Sequence, residues 1–189
     1  MNDISPTVLQ EACCSTRRRL LSSSLVLVSV LLAQVAGAND VALPGTKPSA
    51  PQRLKIWGFE IYDARLWTSA GFSMSQYSEQ VFALELTYLR SFEGKDIAKR
   101  SIDEMKRIGA FSADQEMAWR KAMSDMFPNV EKGDQLLGIH KPNAGAEFWS
   151  QHKRLGFIAD PQFARLFFGI WLHEATAAPA IRQAWMAQP

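Results

Sequence analysis

The chain has 189 residues, of which 47% are hydrophobic, and 21 Lys and Arg stand against 19 Asp and Glu. A net charge of only +2 argues against nucleic acid or an anionic membrane surface as the main partner. The length fits one ordinary globular domain with a sizeable core.

The first 38 residues predict a cleaved secretory signal peptide. Arg17–Arg19 form a positively charged segment, residues 20–35 are mostly apolar, and Ala36-Gly37-Ala38 forms a small-residue cleavage site. The alternative is an uncleaved anchor, although the apolar run is short against the about 20 residues of a membrane-spanning helix. The arginines also loosely resemble a twin-arginine signal, so the export route stays open. We expect a periplasmic or secreted protein, cleaved after Ala38, with no membrane span left.

Both cysteines, Cys13 and Cys14, lie within this predicted leader. The remaining 151 residues therefore have no disulfide and no thiol nucleophile. Export without disulfides fits a bacterial periplasm better than a eukaryotic secreted scaffold. The leader takes a charge of +1 with it, which leaves the mature chain at +1.

The mature chain begins with a proline-rich stretch and then a strand pair. Residues 39–52 predict an extended lead-in, and residues 53–189 predict the domain itself. The segment RLKIWGFEIYDARLW, Arg53 to Trp67, alternates apolar and polar residues with a break at Gly58. That pattern predicts two strands with a bend or bulge between them.

The remaining elements come in blocks of one type. In chain order they are a loop over Ser69–Ser78, the clearest strand at Val81–Leu89, a helix between Gly94 and Gly109, a helix from the Ser112–Gln115 capping box to Pro128, strands Gln135–Lys141 and Ala146–Ser150, a short strand at Phe157-Ile158, an almost wholly apolar helix at Phe163–Leu172, and a last helix after Thr176. Hairpins without regular βαβ alternation predict an α+β fold with a mainly antiparallel sheet.

No motif for a particular reaction is present. His140, His152 and His173 have no partner at metal-ligand spacing, and the sequence has no GxSxG, P-loop or dinucleotide fingerprint. We therefore expect no metal and no cofactor.

Arginines and tyrosines are the most suggestive polar residues. Arg53, Arg65 and Arg90 lie within or at the end of predicted strands, accompanied by Tyr62 and Tyr88. A guanidinium beside a phenol, at the rim of an apolar cavity, suits a carboxylate or a phenolate. The alternative is that these are ordinary surface arginines and half-buried tyrosines.

Four segments of the chain are GFEIYDARLW, LTYLRSFEGKDIAKRSIDEM, GDQLLGIHKP and FARLFFGIWLHEAT. In this order they resemble the bacterial chalcone isomerase-like proteins. The resemblance covers roughly Leu54 to Ala187. It implies an open-faced β-sandwich, in which an antiparallel sheet carries a layer of helices on one face. In plants this fold includes the enzyme that closes a chalcone to a flavanone, and also relatives that bind fatty acids without catalysis.

The resemblance also implies where an enzyme-like site would lie. The plant enzyme uses an arginine, a threonine on the next strand, and a tyrosine opening a helix, followed by a lysine and an asparagine. Ile97 falls at the tyrosine, Arg100 at the lysine and Glu104 at the asparagine. Arg53 matches the arginine, and the threonine falls near Ile61 or Tyr62. Since isoleucine cannot supply the hydrogen bond of the tyrosine, chalcone cyclisation is not expected.

Three functions follow from these considerations. The first is non-catalytic binding of a small amphipathic acid, such as a fatty acid, in an apolar cleft, with Arg53, Tyr62, Tyr88, Arg90 and Arg100 as candidate ligand-binding residues. The second is an isomerase or lyase acting on an enone-like substrate, with Arg53 as electrophile. The third is an interaction module with a filled core and no ligand. A cavity beside the candidate residues would favour the first two.

Overall fold

The computed structural model describes residues 43–187, and there the chain forms one seven-stranded sheet and four α-helices. The strands are β1 (Lys47–Pro48), β2 (Gln52–Ile56), β3 (Phe59–Thr68), β4 (Phe82–Tyr88), β5 (Gln135–Lys141), β6 (Gly145–Ser150) and β7 (Lys153–Ile158). The helices are α1 (Gly94–Ile108), α2 (Ala113–Met126), α3 (Pro161–Leu172) and α4 (Pro179–Met186). The predicted leader lies outside the described residues, and none of the helices described is long and apolar enough to cross a membrane.

The sheet is open and antiparallel. Its strand order is β1-β3-β4-β5-β6-β7, and β2 pairs with β3 next to β1. Helix α3 packs on β5 and β6, and α1 packs on α3, so the helices cover one face. The predicted α+β class and open-faced sandwich are confirmed.

A two-residue turn joins β2 to β3. Trp57 and Gly58 both have positive φ, 49° and 81°, which is the backbone of a type I′ hairpin turn. Leu54 pairs with Tyr62 but Lys55 pairs with Glu60, so Ile61 is the extra residue of a bulge in β3. The break at Gly58 is therefore the hairpin turn, and the bulge lies in β3.

Alternation along the strands divides their side chains between two faces. Leu66, Leu84, Leu86 and Phe148 belong to the core beneath α3, as do the phenylalanines of α3 itself. Nine of the 12 residues of α3 are buried, in agreement with its almost wholly apolar sequence. Asp160 caps it by accepting hydrogen bonds from the backbone N–H groups of Gln162 and Phe163.

The segment predicted as a loop over Ser69–Ser78 contains more structure than its polarity indicated. Residues Met74–Glu79 form a 3₁₀ helix, and Tyr77 within it is buried. The Tyr77 hydroxyl donates a hydrogen bond to the Arg165 carbonyl oxygen over 3.0 Å. This segment therefore packs against α3 as part of the core.

Candidate functional site

An apolar cavity of about 770 Å³ lies between the inner face of the sheet and helices α1 and α3. This volume is within the range of about 300–1,000 Å³ that small-molecule sites occupy. Its apolar walls are Leu54, Ile56, Ile61, Leu84, Leu86, Phe92, Ile97, Phe127, Leu136, Phe148, Phe167, Phe168, Ile170 and Trp171. A third hypothesis, the interaction module, required a filled interior, and the structure has a cavity there.

The mouth of the cavity is marked by its exposed lining residues. Trp57, at the tip of the β2–β3 hairpin, is 94% exposed, and Asp96 and Arg100 of α1 are exposed on the other side. Lys55 also lines the cavity and pairs with Glu60 at 3.1 Å. Charged groups therefore surround the opening, while the interior is almost wholly apolar.

Two tyrosines line the interior, of which Tyr88 is buried and Tyr62 is partly buried. Tyr62 and Tyr88 lie directly opposite each other on β3 and β4, with ring centroids 6.1 Å apart. The Trp171 indole nitrogen donates a hydrogen bond to the Tyr62 hydroxyl oxygen over 2.9 Å. Burial raises the pKa of both phenols far above the usual value for tyrosine, so both keep their protons at neutral pH.

An ion-pair group on α1 joins the cavity to solvent. Arg100 pairs with Glu104 one turn later, and Arg107 lies 3.6 Å from the other oxygen of the same carboxylate. Glu104 is only 6% exposed, whereas both arginine side chains are more than half exposed. Arg100 and Glu104 line the cavity, but Arg107 does not.

The structure places Arg53 outside the cavity. It lies opposite Asp63 in the β2–β3 pairing, on the outer face of the sheet. Its guanidinium donates two hydrogen bonds to the Asp63 carboxylate, at 2.7 and 2.8 Å, and pairs with Glu60 at 3.0 Å. The residue that resemblance matched to the enzyme's arginine is thus held by acidic neighbours. The isomerase hypothesis loses the electrophile on which it relied.

Arg90 also lies away from the cavity. It is exposed just beyond β4, with its guanidinium 4.7 Å from the centroid of the Phe59 ring. That contact is a surface cation–π pair. Of the five candidate ligand-binding residues, the structure brings Tyr62, Tyr88 and Arg100 together at the cavity, and it places Arg53 and Arg90 elsewhere.

Residues that sequence reasoning did not select complete the site. Trp171 was noted only as part of an apolar helix, yet it fixes the Tyr62 hydroxyl. Ile97 lines the cavity at the position matched to the enzyme's tyrosine. The sequence could have indicated Trp171, because it is a tryptophan on an almost wholly apolar helix. A buried indole N–H usually finds a hydrogen-bond partner.

Among the residues from Leu43 to Ala187, no group of three or more His, Cys, Asp or Glu side chains is arranged to hold a metal ion. His140 is buried and stacked on Phe82, and His173 accepts a hydrogen bond from the Ala175 backbone N–H. These two histidines are engaged in the packing of the fold.

Comparison with known proteins agrees with this architecture. A fatty-acid binding protein of Arabidopsis thaliana has a similar structure, with a TM-score of 0.55 and 8% sequence identity, over 76% of this chain and 88% of that one. At this identity the likeness shows the fold alone. A search of curated proteins finds no match. The family described as chalcone isomerase-like matches residues 50–186, which is most of the chain. The chain therefore belongs to the chalcone isomerase-like family.

Proposed function

We propose that this protein binds a small amphipathic acid, a fatty acid in the first instance, and does not catalyse a reaction on it. The observation that carries the proposal is the apolar cavity of about 770 Å³, in which the charged lining residues other than the buried Glu104 lie at the mouth. An acyl chain matches such walls, because each buried methylene contributes about 0.8 kcal/mol. The fatty-acid binding protein with the same fold supports this choice of ligand class.

Arg100 is the residue that we assign to the acid group. It lines the mouth, and its pairing with Glu104 leaves other guanidinium N–H groups available, because the group carries five donors. Lys55 and Arg100 are balanced at the mouth by Asp96 and Glu104. Recognition therefore depends on directed hydrogen bonds from the guanidinium rather than on a positive field.

A catalytic role lacks the groups that it would need. Glu104 acts electrostatically on Tyr62, but one of its oxygens is paired with Arg100 and the other is buried. Ile97 offers no proton donor at its position in the wall. These features favour a carrier or a storage protein over an enzyme.

Export is a further part of the proposal. It is supported by the charged, apolar and small-residue segments of residues 1–38. Mass spectrometry of the protein recovered from cells should give a chain that starts at Asn39. A chain recovered intact from the cytoplasm would contradict the export proposal.

The test of ligand binding is calorimetric titration of the full-length protein, stripped of co-purified lipid, with hexadecanoic acid. Arg100→Gln should weaken binding about tenfold, the value of one charge-assisted hydrogen bond at an exposed site. Arg107→Gln is the matched control, because Arg107 contacts the same carboxylate and lies off the cavity. Equal effects of the two substitutions, or no binding by the unmodified protein, would overturn the proposal.

A further inference from the structure

The two cavity tyrosines hold hydrogen-bond donors that the protein itself does not use. The Tyr62 oxygen accepts a hydrogen bond from Trp171, which leaves its own O–H free to donate. The Tyr88 hydroxyl makes no hydrogen bond within residues 43–187, and its oxygen is not fully buried, so it opens on the cavity that Tyr88 lines. Burial favours the protonated phenol at both positions, so both are donors at neutral pH.

The neighbouring donors are engaged, whereas one oxygen of the neighbouring Glu104 carboxylate is buried without a hydrogen-bond partner among the residues described. Ser101 donates its hydroxyl hydrogen to the Ile97 carbonyl oxygen over 2.9 Å, and Glu104 is paired with Arg100. The phenols are therefore the unsatisfied donors at this part of the wall, in the portion of the chain described. A ligand that displaces water from these hydroxyls without offering an acceptor would leave buried donors unsatisfied, which costs free energy.

Depth separates the phenols from the proposed acid site. Arg100 is exposed at the mouth, with a side chain that is 64% accessible, whereas Tyr88 is only 4% exposed and Tyr62 is partly buried against Trp171. An unsubstituted acyl chain with its carboxylate on Arg100 would pass the two hydroxyls with methylene groups and leave them unsatisfied. An acyl chain that carries an oxygen at that depth would accept a hydrogen bond from both hydroxyls.

We infer that the ligand is an oxygenated fatty acid, which carries on its chain an uncharged acceptor, a carbonyl, hydroxyl or ether oxygen, that Tyr62 and Tyr88 bind together. This inference rests on the proposed function and adds to it a second polar subsite. The acceptor is uncharged because the cations that line the cavity, Lys55 and Arg100, lie at its mouth. An anion beside the phenols would also meet the Glu104 carboxylate, which acts on Tyr62 more strongly than Arg100 does.

The test is a set of oxo-octadecanoic acids in which the keto oxygen is moved along the chain. Each is titrated into the full-length protein beside plain octadecanoic acid. One position, or two adjacent ones, should bind about tenfold tighter than the plain acid, the value of two neutral hydrogen bonds. Tyr88→Phe should reduce the difference between the two affinities. The keto acid loses the hydrogen bond from the Tyr88 hydroxyl, and the plain acid no longer leaves that hydroxyl without an acceptor. Tyr62→Phe should act in the same direction.

The outcomes separate this inference from the proposed function. Plain octadecanoic acid that binds through Arg100, with no preferred keto position, overturns the inference and leaves the proposed function intact. A positional preference that persists undiminished in both Tyr88→Phe and Tyr62→Phe, with circular dichroism showing folded proteins, also overturns the inference. Failure of every acid to bind overturns both.

Discussion

The Trp171 indole nitrogen donates a hydrogen bond to the Tyr62 hydroxyl oxygen over 2.9 Å, joining α3 to β3 across the end of the cavity. The two side chains also contact through their rings, with centroids 6.4 Å apart. This bond fixes the direction of a phenol that would otherwise rotate, so helix and sheet together determine where the Tyr62 O–H can donate.

Removing either partner should therefore destabilise the fold. Tyr62→Phe leaves a buried indole N–H without its acceptor, and we expect a loss of about 1–3 kcal/mol in the free energy of unfolding. Trp171→Phe should cost at least as much, because it also removes buried ring volume. In a double-mutant cycle followed by urea unfolding, the two losses should fall short of additivity by about 1 kcal/mol. Additive losses would show that the hydrogen bond contributes nothing.

Arg53 should be dispensable for ligand binding. Its guanidinium contacts Asp63 and Glu60 on the outer face, and it lowers the pKa of the Asp63 carboxyl by hydrogen bonding to it. Because this network is exposed to solvent, we expect Arg53→Gln to leave the unfolding midpoint nearly unchanged. The affinity for hexadecanoic acid should also be unchanged by titration. A weakening comparable with that of Arg100→Gln would move the acid site to Arg53.

Gly94 is required by the position of α1, the helix that brings Arg100 to the cavity. A Cβ at residue 94 would lie 2.0 Å from the Phe127 carbonyl oxygen, and its backbone N–H donates to the Asn129 side chain. Gly94→Ala should therefore destabilise the protein by about 3 kcal/mol, since the clash is with backbone. The exposed Asp103→Ala on the same helix should change stability by less than about 0.5 kcal/mol. Thermal unfolding of both variants measures this difference. Equal midpoints for the two variants would contradict the requirement for glycine at position 94.

His140 should make stability depend on pH just below neutrality. Its ring is stacked on Phe82 at 4.9 Å, its Nδ1 lies 2.7 Å from the Gln80 carbonyl oxygen, and burial lowers its pKa. With a lowered pKa in the folded state, the unfolded chain binds the proton more readily. The stability is therefore complete above the unfolded pKa of about 6.5 and is lost as pH falls toward the folded pKa.

Urea unfolding at pH 7.5 and pH 5.5 measures this effect. The unmodified protein should be less stable at the lower pH. The loss should be up to about 1.4 kcal/mol for each pH unit between the unfolded and the folded pKa of His140. His140→Phe should lose much of that difference, because it removes the titrating ring and keeps an aromatic side chain. Asp63 and Glu147 have lowered pKa values, so their carboxylates titrate below this range. If the variant showed the same difference in stability between the two pH values, the effect would belong to other titrating groups.

Sequence patterns predicted the elements well and the faces of the polar residues less well. The strand predicted at Gln135–Lys141 has those bounds in the structure, and the Ser112 capping box is formed with both of its hydrogen bonds. Such features depend on local periodicity and local hydrogen bonds, which a sequence carries directly. The face of Arg53 depends on the pairing of β2 with β3 and on the bulge at Ile61, which periodicity does not fix.

The site was predictable in part for the same reason. Alternation along the clearest strand placed Tyr88 among inward-facing residues, and the position of Arg100 came from a family resemblance. The Trp171 bond to Tyr62 joins residues 109 positions apart, and the burial of Glu104 depends on how α1 packs. Contacts of this kind follow from tertiary packing and not from local pattern.

The central claim is that an acyl chain fills the cavity, and chain length tests it most directly. Calorimetric titration of the full-length protein with saturated acids of 8 to 18 carbons, about the span of common fatty acids, should give affinities that rise about fourfold per methylene until the cavity is full. Ile97→Trp, which places a larger ring in the cavity wall, should shorten the longest chain accommodated, whereas Lys99→Trp on the exposed side of α1 should not. Affinities independent of chain length, or equal responses of the two variants, would contradict the account.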